Sequence, residues 1–127
     1  MEYVRSLLCY EGIKAMNISK REFYRIETQD ENPDTSYLTQ TIIKDGVDFS
    51  ERYEEYKRGD FYFIGVQASI QLEIPINDNH RILQTITSPG LWGVESDSDK
   101  EYLNSIYAEE CNTLTDMLTT MGIVVTD

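Results

Sequence analysis

In the stretch YFIGVQASIQLEIPI, Tyr62 to Ile76, every even-numbered residue is apolar, while the odd-numbered residues from Gln67 to Glu73 are polar. Side chains alternate across a strand. This period of two therefore commits the segment to a long β-strand with one face in a core and the other toward solvent. Pro75 cannot donate to a ladder and must lie at a strand end or edge. The polar run NDNH, Asn77 to His80, then reads as a hairpin turn, after which RILQTIT, Arg81 to Thr87, returns antiparallel.

A strand with one apolar face needs a cover, and the chain supplies one near its C-terminal end. Leu103, Ile106, Tyr107, Cys111, Leu114, Leu118 and Met121 recur at steps of three and four residues, the stripe of an amphipathic helix, and Gly122 provides its stop. Ser98 as N-cap with Glu101 three residues on reads as a capping box. Asp97 and Asp99 add negative charge where the helix macrodipole favours it.

Shorter signals fill the rest. The apolar pairs Tyr3/Val4 and Leu7/Leu8, closed by Gly12, suggest a short N-terminal helix. KREFYRIETQDE mixes β-formers with charges and reads as an exposed or edge strand ending in a turn at Pro33 and Asp34. Residues 36–46 suit a short strand or an irregular segment equally. Asp48 as N-cap with Glu51 three residues on begins a short helix, Phe49 to Arg58, stopped by Gly59. The expected fold is α+β: one domain over residues 1–127, with a small antiparallel sheet of three to four strands packed by the long C-terminal helix and one or two shorter helices.

Charge narrows the partners. With 23 acids against 11 bases the chain carries −12, and the imbalance is uneven: residues 84–127 hold eight acids and Lys100 alone. Binding nucleic-acid phosphate needs a positive surface that releases counterions, so direct nucleic-acid binding is not expected. A basic protein fits better, although acidic surfaces also serve solubility alone. There is no apolar run long enough to span a bilayer and no secretory signal, and Cys9 and Cys111 are isolated, so a cytoplasmic, non-membrane setting is expected.

The most conspicuous loop is SPGLWGVESDSDKEYL, Ser88 to Leu103, where the sole tryptophan stands between Gly90 and Gly93. Trp92 reads as a plug beneath the last helix or as a contact for a partner, the plug being preferred. Glu95, Asp97 and Asp99 alternate like the first half of an EF-hand loop. Lys100, however, stands where that loop needs its glycine, and no glutamate closes it, so no metal site is expected. His80 is the only histidine, and neither a nucleophile with a base nor zinc spacing can be assembled around it. No catalytic residue and no cofactor are expected. The binding candidates are Trp92, Glu95, Asp97, Asp99, Glu101, Glu109 and Glu110, with Tyr53, Tyr56, Tyr102 and Tyr107 lying among acids as interface formers.

RGDFYFIGVQA, then ILQTITSPGLWGVESDSDKEYL, then LTTMGI, together resemble a family of small acidic proteins of bacterial phages and mobile elements whose activity is uncharacterised and which share a GLWG(I/V)ESDSD motif. The resemblance spans about Asp30 to Ile123 and rests on Asp34, Ser36, Tyr37, Leu38, Gly59, Asp60, Gly65 and Gly90 through Asp97. Relatives often have a longer middle segment and a glycine where Pro89 stands here, so nothing residing in that segment is carried over. What the resemblance implies is a setting, the cytoplasm of an infected or element-bearing bacterium. The leading expectation is a non-enzymatic protein that docks its acidic surface on a basic host protein, as an anti-CRISPR or anti-restriction inhibitor would. The alternatives are a small metal- or ligand-binding accessory domain, walled by the Trp92 loop and the Asp30–Asp34 turn, or a homo-oligomeric phage structural or accessory protein.

Overall fold

The computed structural model describes residues 16–39 and 48–127. In chain order its elements are β1 (Asn17–Ser19), a 3-10 turn (Lys20–Glu22), β2 (Tyr24–Gln29), α1 (Ser36–Thr39), α2 (Ser50–Arg58), β3 (Phe63–Asn77), β4 (His80–Thr87), β5 (Leu91–Glu95), α3 (Lys100–Thr120) and β6 (Val124–Thr126). The N-terminal helix expected at Tyr3–Gly12, and Cys9 with it, lie outside the described residues, as does most of the unassigned segment 36–46. The part of that segment described here is the helical turn α1.

The alternating strand is the centre of the molecule. β3 pairs antiparallel with β2 from Ile64 to Ser69 and with β4 from Ser69 to Asn77, while β5 pairs with it from Phe63 to Val66. Because β2 occupies one edge of Ile64–Ser69, β4 and β5 must follow one another along the other edge. The hairpin turns at Asp78–Asn79, where Asn77 Oδ1 accepts the Asn79 N–H at 2.9 Å. Pro75 lies near the end of β3, beyond the reach of β2, and the ladder bulges between Pro75 and Asn77. That bulge leaves Ile76 in solvent.

Even-numbered positions of β3 face α3, as the alternation requires. Ala68, Ile70, Leu72 and Ile74 pack with Leu114, Leu118 and Ile123, and Ile64 and Val66 pack with Val94 and Ile106. The helix is held at both ends by local chemistry. At its start the cap is Asp99, whose carboxylate accepts the Tyr102 N–H at 2.8 Å. The expected Ser98–Glu101 box does not form. Ser98 instead donates its hydroxyl to the Glu95 carbonyl, which closes the turn one residue earlier. At its end Gly122, with φ +89°, and Ile123 donate to the Thr119 and Leu118 carbonyls, the paired bonds of a Schellman stop.

On the opposite sheet face the odd-numbered residues divide. Phe63, together with Phe61 and Leu38, is buried under α1 and α2, with Tyr37, Phe49, Tyr53 and Tyr56 around them. Tyr56 and Phe63 meet edge to face, with centroids 5.2 Å apart. This aromatic cluster, rather than charge, is the use made of Tyr53 and Tyr56. α2 begins one residue later than expected: Phe49 is its cap residue, Asp48 Oδ1 accepts the Ser50 N–H at 2.9 Å, and Gly59 with φ +80° ends it.

β5 and the parallel pair β1–β6 were not anticipated. β6 leaves the Schellman stop and aligns Val124–Thr126 with Asn17–Ser19, bringing the two ends of the described chain together.

Candidate functional site

The acids singled out in the sequence do not form one free surface. Glu95 closes β5 and Asp97 follows it, and the two share a single cation from α2. Arg52 donates to Glu95 Oε1 from Nε (3.1 Å) and Nη2 (2.7 Å), and to Asp97 Oδ2 from Nη1 (2.9 Å). A further Arg52 bond reaches Asp97 Oδ1, and the Tyr37 hydroxyl donates to Glu95 Oε2. Glu55, three residues on in α2, adds a weaker contact at 3.3 Å. The guanidinium also lies 3.6 Å from the centroid of Phe61, over its ring.

The electrostatics follow from this packing. Arg52 has a side chain 24 % exposed and Glu95 one 25 % exposed, so their attraction is less screened than on an open surface. The hydrogen bond from Arg52 holds the Asp97 carboxyl below its ordinary range, against a smaller opposing effect of burial. Burial, then the Glu95 bond, pushes the Tyr37 hydroxyl upward, so it stays a protonated donor. The constellation is a clamp: it fastens α1 and α2 to the end of β5, using groups from three distant parts of the chain.

Glu110 is engaged in the same way. Its Oε1 accepts the Ser88 hydroxyl at 2.7 Å and the Gly90 N–H at 2.8 Å, tying the bend between β4 and β5 to α3. Ser88 is fully buried; it also accepts the Ala68 N–H at 2.9 Å, so the ladder continues through the bend. Gly90, with φ +92°, allows that bend.

Trp92 is not a plug beneath α3. It lies on the opposite sheet face, across Gly65, and remains 43 % exposed. A Cβ on Gly65 would overlap its ring, and its indole N–H donates to the Pro89 carbonyl at 3.0 Å. The physical reason is the alternation itself: Gly65 is an odd position of β3, and the absence of a side chain there opens the only seat the ring needs. The Asp30 turn does meet this loop, since Asp30 Oδ2 accepts the Gly93 N–H at 3.0 Å and Oδ1 the Asn32 N–H at 3.1 Å. Both carboxylate oxygens of Asp30 are thereby used in holding backbone.

Three carboxylates keep a different character. Glu101, Glu109 and Asp116 are exposed on α3, and among the described residues none of them has an ion-pair partner. Their spacings of eight and seven residues confine them to about a quarter of the helix circumference over about 22 Å of its length. Tyr102 is exposed beside them. Tyr107 is half-buried between the core clusters, its hydroxyl pushed up to about 12 by burial and then by Cys111. Asp99 is spent as the helix cap. Sequence reading missed Asp116, which the helical spacing from Glu109 already placed on this face. It also missed Arg52, whose partners lie more than forty residues away.

Fold and site together define an α+β domain whose clustered polar groups fasten its own elements and in which acids without an ion-pair partner among the described residues line one helix. No protein-family model matches the chain, and no curated protein and no solved structure matches it either. Among the described residues, no group of three or more His, Cys, Asp or Glu is placed to share a metal ion. No helix among them is long and apolar enough to cross a membrane.

Proposed function

We propose that this is a non-enzymatic phage or mobile-element protein that docks on a basic host protein through the exposed side of α3, acting in a bacterial cytoplasm as an inhibitor of a nucleic-acid-binding defence protein of the CRISPR or restriction type. The observation that carries the reading is the row Glu101, Glu109 and Asp116. These carboxylates have no ion-pair partner among the described residues, and the chain bears −12 overall. Such a row meets a basic channel without first breaking an ion pair among the described residues, and long-range attraction speeds the encounter. Glu95, Asp97 and Glu110, in contrast, are committed to Arg52, Ser88 and Gly90, and form the frame behind the docking side. Tyr102, exposed on the same helix, supplies apolar contact at its margin, whereas Trp92 lies across the sheet and takes no part.

The test is affinity capture from lysate of the bacterial host at low and high salt, comparing the wild type with the variant Glu101→Gln, Glu109→Gln, Asp116→Asn. A basic nucleic-acid-binding protein should be recovered by the wild type, released by salt, and lost with the variant. Recovery of the same partner at equal yield by the variant would show that these acids do not form the docking side.

A further inference from the structure

The two long edges of the main sheet are defended differently. An edge strand presents unpaired N–H and C=O groups, and proteins ordinarily guard it with charged side chains, proline or a bulge. β2, on one edge, carries the ion pair of Arg25 with Glu27. β4, on the other, has no charge, proline or bulge from Ile82 to Thr87, and its register against β3 is regular from Thr87 to Arg81. Arg81, the one charged residue of β4, is already neutralised by Glu73, with Nε 3.3 Å from Oε1. Among the described residues no strand pairs with the outer edge of β4.

The neutrality extends further. Ile82 to Val94 is a run of thirteen residues without a charged side chain, the longest in the chain, and unlike the buried centre of β3 it lies largely at the surface. Leu83 is 62 % exposed and Ile82 36 %. These apolar groups flank an open ladder of backbone donors and acceptors.

We propose that β4 pairs antiparallel with β4 of a second copy of this chain about a two-fold axis, making one sheet continuous across two protomers. Charge selects the occupant. A basic partner finds nothing to pair with along this edge, whereas a chain of net −12 can approach its own copy only where it holds no local charge, and β4 is that place. An antiparallel strand is also self-complementary about a two-fold axis, each copy donating to and accepting from the other. The contact uses none of Glu101, Glu109 or Asp116, so it stands apart from the docking reading.

Sedimentation of the full chain from micromolar to near-millimolar concentration tests it. A dimer is expected that tightens as salt rises, because screening relieves repulsion between two acidic copies, the reverse of docking on a basic partner. Thr85→Lys and Leu83→Lys, both at exposed positions, should each weaken dimerisation by more than about tenfold with unchanged circular dichroism, because two like charges then meet across the axis. Both substitutions lower the net negative charge, so a general charge effect would strengthen association instead. Thr28→Lys, on β2, should leave the dimer intact. A monomer throughout, even at high salt, would overturn the proposal, and so would a dimer that survives both β4 substitutions or is lost with Thr28→Lys.

Discussion

Arg52→Met removes the guanidinium from the clamp while keeping a stem that can lie against Phe61. Two carboxylates lose their shared donor. The Glu95 side, one-quarter exposed, is worth about 1.5–2 kcal/mol, near the lower end for hydrogen bonds to charged groups. The Asp97 side chain is 44 % exposed and solvent screening reduces its share to about 0.5–1 kcal/mol. The stacking on Phe61 adds about 0.5 kcal/mol. The expected loss is about 3 kcal/mol, a drop of roughly 10 °C in Tm for a chain of this size. It is measurable by urea unfolding followed through the single tryptophan. Acid should erase part of the difference. Arg52 holds the Asp97 carboxyl below its unfolded value, so the folded state binds fewer protons and this contribution is complete above the ordinary carboxylate range. It is lost as pH falls through the lowered folded value, so the gap between wild type and variant should narrow from about pH 5 downward. A loss below about 1 kcal/mol at neutral pH, or a gap that does not change with acidification, would refute the clamp.

Gly65→Ala should displace Trp92 from its seat, costing about 1–3 kcal/mol and shifting tryptophan emission to the red; unchanged emission would place the ring elsewhere. Leu118→Ala, at a fully buried position of α3, should cost about 2–5 kcal/mol and leave the emission wavelength of the folded protein alone, because Trp92 lies across the sheet. Glu110→Ala should cost about 1–3 kcal/mol by orphaning the Ser88 hydroxyl and the Gly90 N–H, and Glu110→Gln, which keeps an acceptor, should recover most of it in the same urea titration.

What the sequence determined by itself was the set of elements whose information is local. The alternation specifies β3 and, from Ile64 to Ile74, which of its faces is buried, while its two ends, Tyr62 ahead of the strand and Ile76 at the bulge, stay exposed; NDNH places the hairpin, and the stripe from Leu103 to Met121 with Gly122 behind it specifies α3 and its stop. These follow because a strand and a helix each repeat within a window of a few residues, and a single buried face makes that repeat visible. β5 was not legible: five residues interrupted by Gly93, at φ +73°, carry no period to read. Nor was the pairing of Asn17–Ser19 with Val124–Thr126, since nothing in either three-residue strand names a partner at the other end of the chain.

The site depended on tertiary structure more heavily still. Glu95, Asp97, Glu101 and Glu109 are alike as letters in an acidic stretch, and only the fold separates them. It carries Arg52 and Tyr37 to the first two, and it leaves the last two on the outer side of a helix. A tryptophan between two glycines suggests a core plug, yet the position of Trp92 is decided by Gly65 on a neighbouring strand. Whether a charge is free or spent, and whether a ring is covered or exposed, depends on the groups that folding brings within a few ångströms, and those contacts are not encoded at any fixed spacing along the chain.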